Sequence, residues 1–93
     1  MKEEIKKALN KIGWDIKGRY PNEYIFDNDN KRTSYRVMTD RIELNDDRNS
    51  TLQFSYKDID VYELDTNGKI DCVGIKAKGE SSDGVFLQFY NHS

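Results

Sequence analysis

Apolar residues recur along this chain at two spacings, and the change from one to the other divides it into elements. Over residues 2–12, Ile5, Ala8, Leu9 and Ile12 fall at i, i+3, i+4 and i+7. That single stripe of a 3.6-residue period predicts an amphipathic helix. Glu3 and Glu4 open it and Lys6, Lys7 and Lys11 follow, the order that complements a helix dipole. Gly13 is positioned for a left-handed cap, with Trp14 next to it to pack back on the last turn.

From residue 51 onward the spacing is two, the period of a strand with one dry face. Strands are predicted over 51–56, 59–64, 69–78 and 85–90. Leu52, Phe54 and Tyr56 are expected inward on the first of these, and Val85, Leu87 and Phe89 on the last. Asn67-Gly68 supplies the positive φ angles of a tight hairpin turn. Between helix and meander, short strands are expected over 14–17 (ended by Gly18), 23–26, 33–38 and 41–44. Turn chemistry separates them at Pro21-Asn22, Asp27-Asn28-Asp29-Asn30 and Thr39-Asp40, and residues 45–50 and 79–84 read as loops. Sequential short strands pair as antiparallel neighbours. The expected fold is α+β: an N-terminal amphipathic helix packed on a curved antiparallel sheet of about six short strands, a β meander, in one domain spanning 1–93.

Composition changes this picture little. A charged content of 34% and a mean hydropathy of −0.93 raise the question of disorder. The 12% aromatic residues, set within alternating apolar runs, and the single proline answer it in favour of a folded domain. No apolar run approaches the ~20 residues of a membrane span. The N-terminal stretch lacks the apolar segment of a secretory signal, and Cys72 has no second cysteine to bridge to. A cytoplasmic protein without membrane association is therefore expected, with Cys72 as a small packed residue. Charge is uneven: residues 1–41 hold ten basic and seven acidic side chains (+3), and residues 42–93 hold five and ten (−5), together the net −2.

Catalytic constellations are missing from the sequence. The only histidine, His92, is the penultimate residue, and one cysteine and one histidine do not make the usual zinc site. Gly79 and Gly84 flank a loop between strands rather than a strand-to-helix phosphate cradle. Asp27 and Asp29 start like a calcium loop, but Lys31 stands at its fifth position and Met38 at its twelfth, so a hairpin turn is expected. No enzymatic activity, cofactor or metal is expected.

Gly13-Trp14, closing an amphipathic helix that leads into strands, resembles the opening of the HicA family of small RNA-cleaving toxins over residues 1–40. Tyr24-Ile25-Phe26 stands where such toxins carry a histidine, and strands replace their closing helix, so no membership follows. The run from Phe54 through Ser55, Tyr56, Lys57 and Asp58 to Ile59 resembles the strand entry of PH-like domains, again without their C-terminal helix.

Surface chemistry remains. Six tyrosines exceed the needs of a small core, and Tyr20, Tyr24, Tyr62 and Tyr90 are candidate anchors at a protein interface. Asp46, Asp47, Asp58, Asp60, Glu63 and Asp65 form a candidate acidic array, with Tyr62 among them. Such an array can occupy a cationic nucleic-acid channel on a partner. The leading expectation is a non-enzymatic protein-binding module. Its specific form is a phage or mobile-element inhibitor, similar in character to anti-CRISPR proteins, acting on a host nucleic-acid-handling complex. One alternative is an RNA- or DNA-binding module using the basic-aromatic strip Arg32, Tyr35 and Arg36. The neighbouring Asp27, Asp29 and Asp40 and the acidic balance weigh against direct nucleic-acid contact. A second alternative is a homo-oligomer pairing through a sheet edge.

Overall fold

The computed structural model describes residues 1–20, 23–28, 33–46, 48, 50–66, 68–81 and 84–91. One helix, α1 (Lys2–Lys11), precedes eight strands: β1 (Gly18–Tyr20), β2 (Glu23–Asn28), β3 (Thr33–Val37), β4 (Arg41–Asn45), β5 (Thr51–Ser55), β6 (Ile59–Thr66), β7 (Lys69–Ala77) and β8 (Val85–Tyr90). Seven of these have five or more residues, and β1 has three. All described pairings are antiparallel. The fold is α+β, as the periodicity predicts, with a correction in the sheet. The strands form two open sheets, β1-β2-β3-β4-β5 and β6-β7-β8, not one curved meander of about six. The break falls at residues 56–58, where a single 3₁₀ turn (Tyr56–Asp58) separates β5 from β6.

α1 ends as its sequence dictates. Ile12 is the cap, Gly13 adopts φ +92°, and two backbone bonds close the turn: Gly13 N–H to Asn10 O at 3.2 Å and Trp14 N–H to Leu9 O at 3.0 Å. This is the paired 5→2 and 6→1 pattern of a Schellman motif, and Trp14 joins Leu9 in the core behind it. The stripe Ile5, Ala8, Leu9 and Ile12 is buried with Trp14 against Phe26, Val37 and Ile42 of the five-stranded sheet and Val73, Ile75 and Phe89 of the three-stranded one. One core therefore serves both sheets.

Trp14 ties the sheets together. Its ring meets Tyr35 on β3 edge-on at 5.7 Å and Phe89 on β8 at 5.5 Å, while Tyr35 and Phe89 meet at 4.7 Å. Its indole N–H donates to the Tyr90 carbonyl at 2.9 Å. Residues 14–17, expected as a strand, instead lead irregularly from this anchor into β1, which Gly18 begins rather than follows.

The remaining strand predictions hold with shifted ends. Asp27 and Asn28 extend β2 rather than turning the chain, and Asp29 and Asn30 lie outside the described residues, as does the Pro21-Asn22 turn. Thr39-Asp40 is a two-residue hairpin turn, with Val37 paired to Ile42 and Met38 N–H bonded to Arg41 O at 2.9 Å. Thr66 pairs with Lys69 around the second hairpin, where Gly68 has φ +81°; Asn67 is outside the described residues. Leu52 is a correction. Expected inward, it is 55% exposed, on the strand that forms the edge of its sheet among the described residues.

Tyr56 fastens the end of β5 to this first hairpin. Its hydroxyl donates to Met38 O at 2.5 Å and its N–H to Asp40 O at 3.0 Å. Burial, and then the nearby Asp40, push its pKa well above the ordinary value of 10.

Gly13→Ala forces a side chain into a left-handed backbone, and urea unfolding should show a loss of about 1–2 kcal/mol. Because the folded state holds the Tyr56 proton more tightly than the unfolded state, stability should be level up to about pH 10 and fall above it. Thermal unfolding of Tyr56→Phe across pH 8–11 should show a shallower decline, the residue of the slope coming from Tyr35, whose pKa burial also raises. At neutral pH the same variant should lose about 1 kcal/mol with its hydrogen bond.

Candidate functional site

Strand parity sorts the candidate residues by face. On the five-stranded sheet, Tyr24, Phe26, Tyr35, Val37 and Ile42 point to the core, and Glu23, Arg36 and Glu43 to the other side. Arg36 pairs with Glu23 at 2.8 Å, and Arg41 with Asp40 at 2.8 Å and Glu43 at 3.2 Å. This outer face is a ladder of matched charges. The proposed strip of Arg32, Tyr35 and Arg36 is not assembled: Tyr35 is inside against Trp14 and Phe89, Arg36 is outside and paired, and Arg32 lies outside the described residues.

The acidic candidates do not converge either. Asp46 folds back on its own loop, accepting the backbone N–H of Arg48 and of Ser50, each at 2.9 Å. Asp47 lies outside the described residues. Asp58 is exposed on the 3₁₀ turn, and Asp65 is exposed near the end of β6, just beyond a register shift. Asp60 and Glu63 are three residues apart on one strand, hence on opposite faces. Asp60 accepts Gly79 N–H at 3.0 Å and stands 3.8 Å from the Lys76 amine. Glu63 points to the helix side and pairs with Lys11 at 3.5 Å.

What the structure does gather is the outer face of the three-stranded sheet. Tyr62, Gly74 and Gln88 lie in one cross-strand row, and Leu64, Cys72 and Tyr90 in the next. The Tyr62 ring lies flat across Gly74, where a Cβ would stand 2.1 Å from the ring. Its hydroxyl accepts from the Gln88 amide at 3.4 Å, and the Tyr90 hydroxyl donates to Gln88 Oε1 at 2.5 Å. Cys72 is free and buried in this row, its thiol pKa raised by burial and by Asp71. On either side Leu64 is 48% and Tyr90 62% exposed. Phe86, the extra residue of a bulge on β8, adds a 47% exposed ring at the rim, stacked on Phe54 of β5 at 4.9 Å.

Of the four tyrosines read as interface anchors, Tyr62 and Tyr90 share this face. Tyr24 is half-buried under α1 with the Lys2 and Lys6 amines 5.1 and 5.3 Å from its ring, and the side chain of Tyr20 is outside what the structure describes. Leu64, Phe86 and Gln88 are new to the candidate set. Leu64 could have been found by extending the parity of Tyr62 by two, and Gln88 by stepping back two from Tyr90.

Among the described residues no group of three or more His, Cys, Asp or Glu side chains is arranged to hold a metal ion, and no helix is long and apolar enough to cross a membrane. The chain matches no family model, no curated protein and no solved structure.

Gly74→Ala should lift Tyr62 off the sheet, because the ring is the movable partner in the clash. The double variant Gly74→Ala/Tyr62→Ala should then be less destabilised than the sum of the two single variants, by about 0.5–3 kcal/mol in a urea-unfolding cycle.

Proposed function

We propose that this chain is a non-enzymatic module that binds another protein through the outer face of its three-stranded sheet. The observation that carries the reading is the cluster of exposed Leu64, Phe86 and Tyr90 around the ordered Tyr62–Gln88–Tyr90 hydrogen bonds. Interface hot spots combine these traits: aromatic and apolar side chains already held in place, so that little conformational freedom is lost on binding. Asp60 lies on the same face of β6 as Tyr62 and Leu64 and stands beside Lys76, so the charge next to the cluster is matched and the apolar side chains dominate the surface offered to a partner.

The narrower reading is an inhibitor of the anti-CRISPR kind, made by a phage or mobile element and directed at a host nucleic-acid-handling complex. It rests on the acidic side chains alone. With Asp60 and Glu63 on opposite faces and each beside a lysine, those side chains give it less support than the apolar cluster gives to protein binding in general.

The test is affinity capture from the source cell with three baits: the native chain, Leu64→Asp/Tyr90→Asp, and Asp58→Lys/Asp60→Lys/Glu63→Lys, each first shown to be folded by circular dichroism. Loss of two hot-spot side chains should weaken binding of the retained protein by a hundredfold or more, at about 2 kcal/mol each. Charge reversal should mainly slow association and alter its salt dependence. A partner that binds the Leu64→Asp/Tyr90→Asp bait as tightly as the native chain would contradict the reading. So would tight, steeply salt-dependent binding of a labelled oligonucleotide.

A further inference from the structure

An open strand edge is a template for another strand, and folded proteins guard it with charge, proline, shortness or a bulge. β6 carries Asp60, Glu63 and Asp65 and no basic residue, and a register shift interrupts its ladder after Leu64. β1 has three residues. At β8, Trp14 bonds the Tyr90 carbonyl. β5 has none of these guards. Thr51–Ser55 is five residues without charge or proline, paired to β4 in unbroken register, in a chain whose charged content is 34%. It ends the five-stranded sheet, and among the described residues no strand pairs with its other side.

The ladder with β4 decides which backbone groups of β5 face outward. Ser50 C=O accepts from Asp46 N–H and Tyr56 N–H donates to Asp40 C=O, so the even positions between them bond to β4. By alternation the N–H and C=O groups of Thr51, Gln53 and Ser55 point away from β4. Side chains alternate as well. Leu52, 55% exposed, and Phe54 lie on the core side with Leu44 and Ile42, and Thr51, Gln53 and Ser55 lie on the outer side with Asn45, Glu43 and Arg41.

We infer that β5 pairs antiparallel with β5 of a second copy about a two-fold axis at Gln53, joining two five-stranded sheets into one. In that register every outward group meets its complement: Thr51 faces the other copy's Ser55, and Gln53 faces Gln53, each pair exchanging backbone hydrogen bonds. Moving the axis by one residue either way leaves two such facing pairs instead of three. Leu52 then faces the other copy's Phe54 at the closer, non-hydrogen-bonded positions, which covers its exposed side chain. Charge at the flanks is complementary too. Antiparallel pairing brings the turn before one β5 to the turn after the other, so exposed Arg48 comes beside Asp58, and Lys57 beside Asp46. The contact is one short strand, so the dimer is weak and depends on concentration.

Self-pairing goes beyond the protein-binding face and does not use it, so Leu64→Asp/Tyr90→Asp should dimerise as the native chain does. Sedimentation equilibrium of the native chain should show the mass rising from one chain toward two between about 10 µM and 1 mM. Over the same range, ¹⁵N-amide shifts should centre on residues 51–55. Gln53→Lys and Gln53→Glu each set like charges across the axis and should each weaken the dimer about a hundredfold. An equimolar mixture of the two should restore it. Gln53→Pro removes an outward N–H and keeps the β4 ladder, so it should also abolish the dimer. Thermal unfolding reports that each variant is folded. A native chain that stays monomeric at about 1 mM would overturn the inference. So would native-like dimerisation of Gln53→Lys alone, a charge-swapped mixture that stays monomeric, or a dimer whose shifts fall on residues 59–66 instead.

Discussion

The indole of Trp14 is the contact on which the rest of the molecule depends. It follows directly on the Schellman turn that ends α1, touches one ring from each sheet, and spends its only hydrogen-bond donor on the last residue of β8. Neither sheet pairs with the other through its backbone in the described residues, so side chains alone hold them in register. A helix of ten residues is marginal by itself, and a three-stranded sheet needs one covered face. Each element is stable only while the others are present.

This dependence shapes the surface. Closing the β8 edge on Trp14, Tyr35 and Phe54 uses up one side of the three-stranded sheet and leaves the other side and the outer face facing solvent. The outer face of the five-stranded sheet carries paired charges, Glu23 with Arg36 and Arg41 with Glu43. Exposed apolar groups are concentrated instead around the three-stranded sheet, at Leu64, Phe86 and Tyr90, with Leu52 and Met1 elsewhere. Single exposed apolar residues are ordinary, but three around one ordered tyrosine–glutamine network form a patch with a defined shape.

How much of this was legible in the sequence followed the range of the interactions. The helix, its glycine cap and the packing of Trp14 back on the last turn are local and read correctly, whereas the bridge from Trp14 to Tyr35, Phe89 and the Tyr90 carbonyl is long-range and was not legible. The turns at Thr39-Asp40 and around Gly68, and the burial of Phe89 beneath an exposed Tyr90, are equally local. The division into two sheets was not legible. Ser55, Tyr56, Lys57 and Asp58 look like continued strand and turn, and only distant packing decides that β6 leaves β5 and pairs with β7. The grouping of the candidate residues by face was missed for a different reason. Parity along a strand already forbids Tyr35 and Arg36, or Asp60 and Glu63, from sharing a face, and a reading by charge type alone passes over that constraint.

Native-state hydrogen exchange tests the single-core account most directly. Leu9 in α1, Val37 in β3 and Val73 in β7 stand for the three parts that Trp14 joins. Their slowest amides should open with one common free energy, and all three should lose protection together in Trp14→Phe. Protection of β7 that persists after α1 and β3 have exchanged would contradict it, because the three-stranded sheet would then be standing on its own.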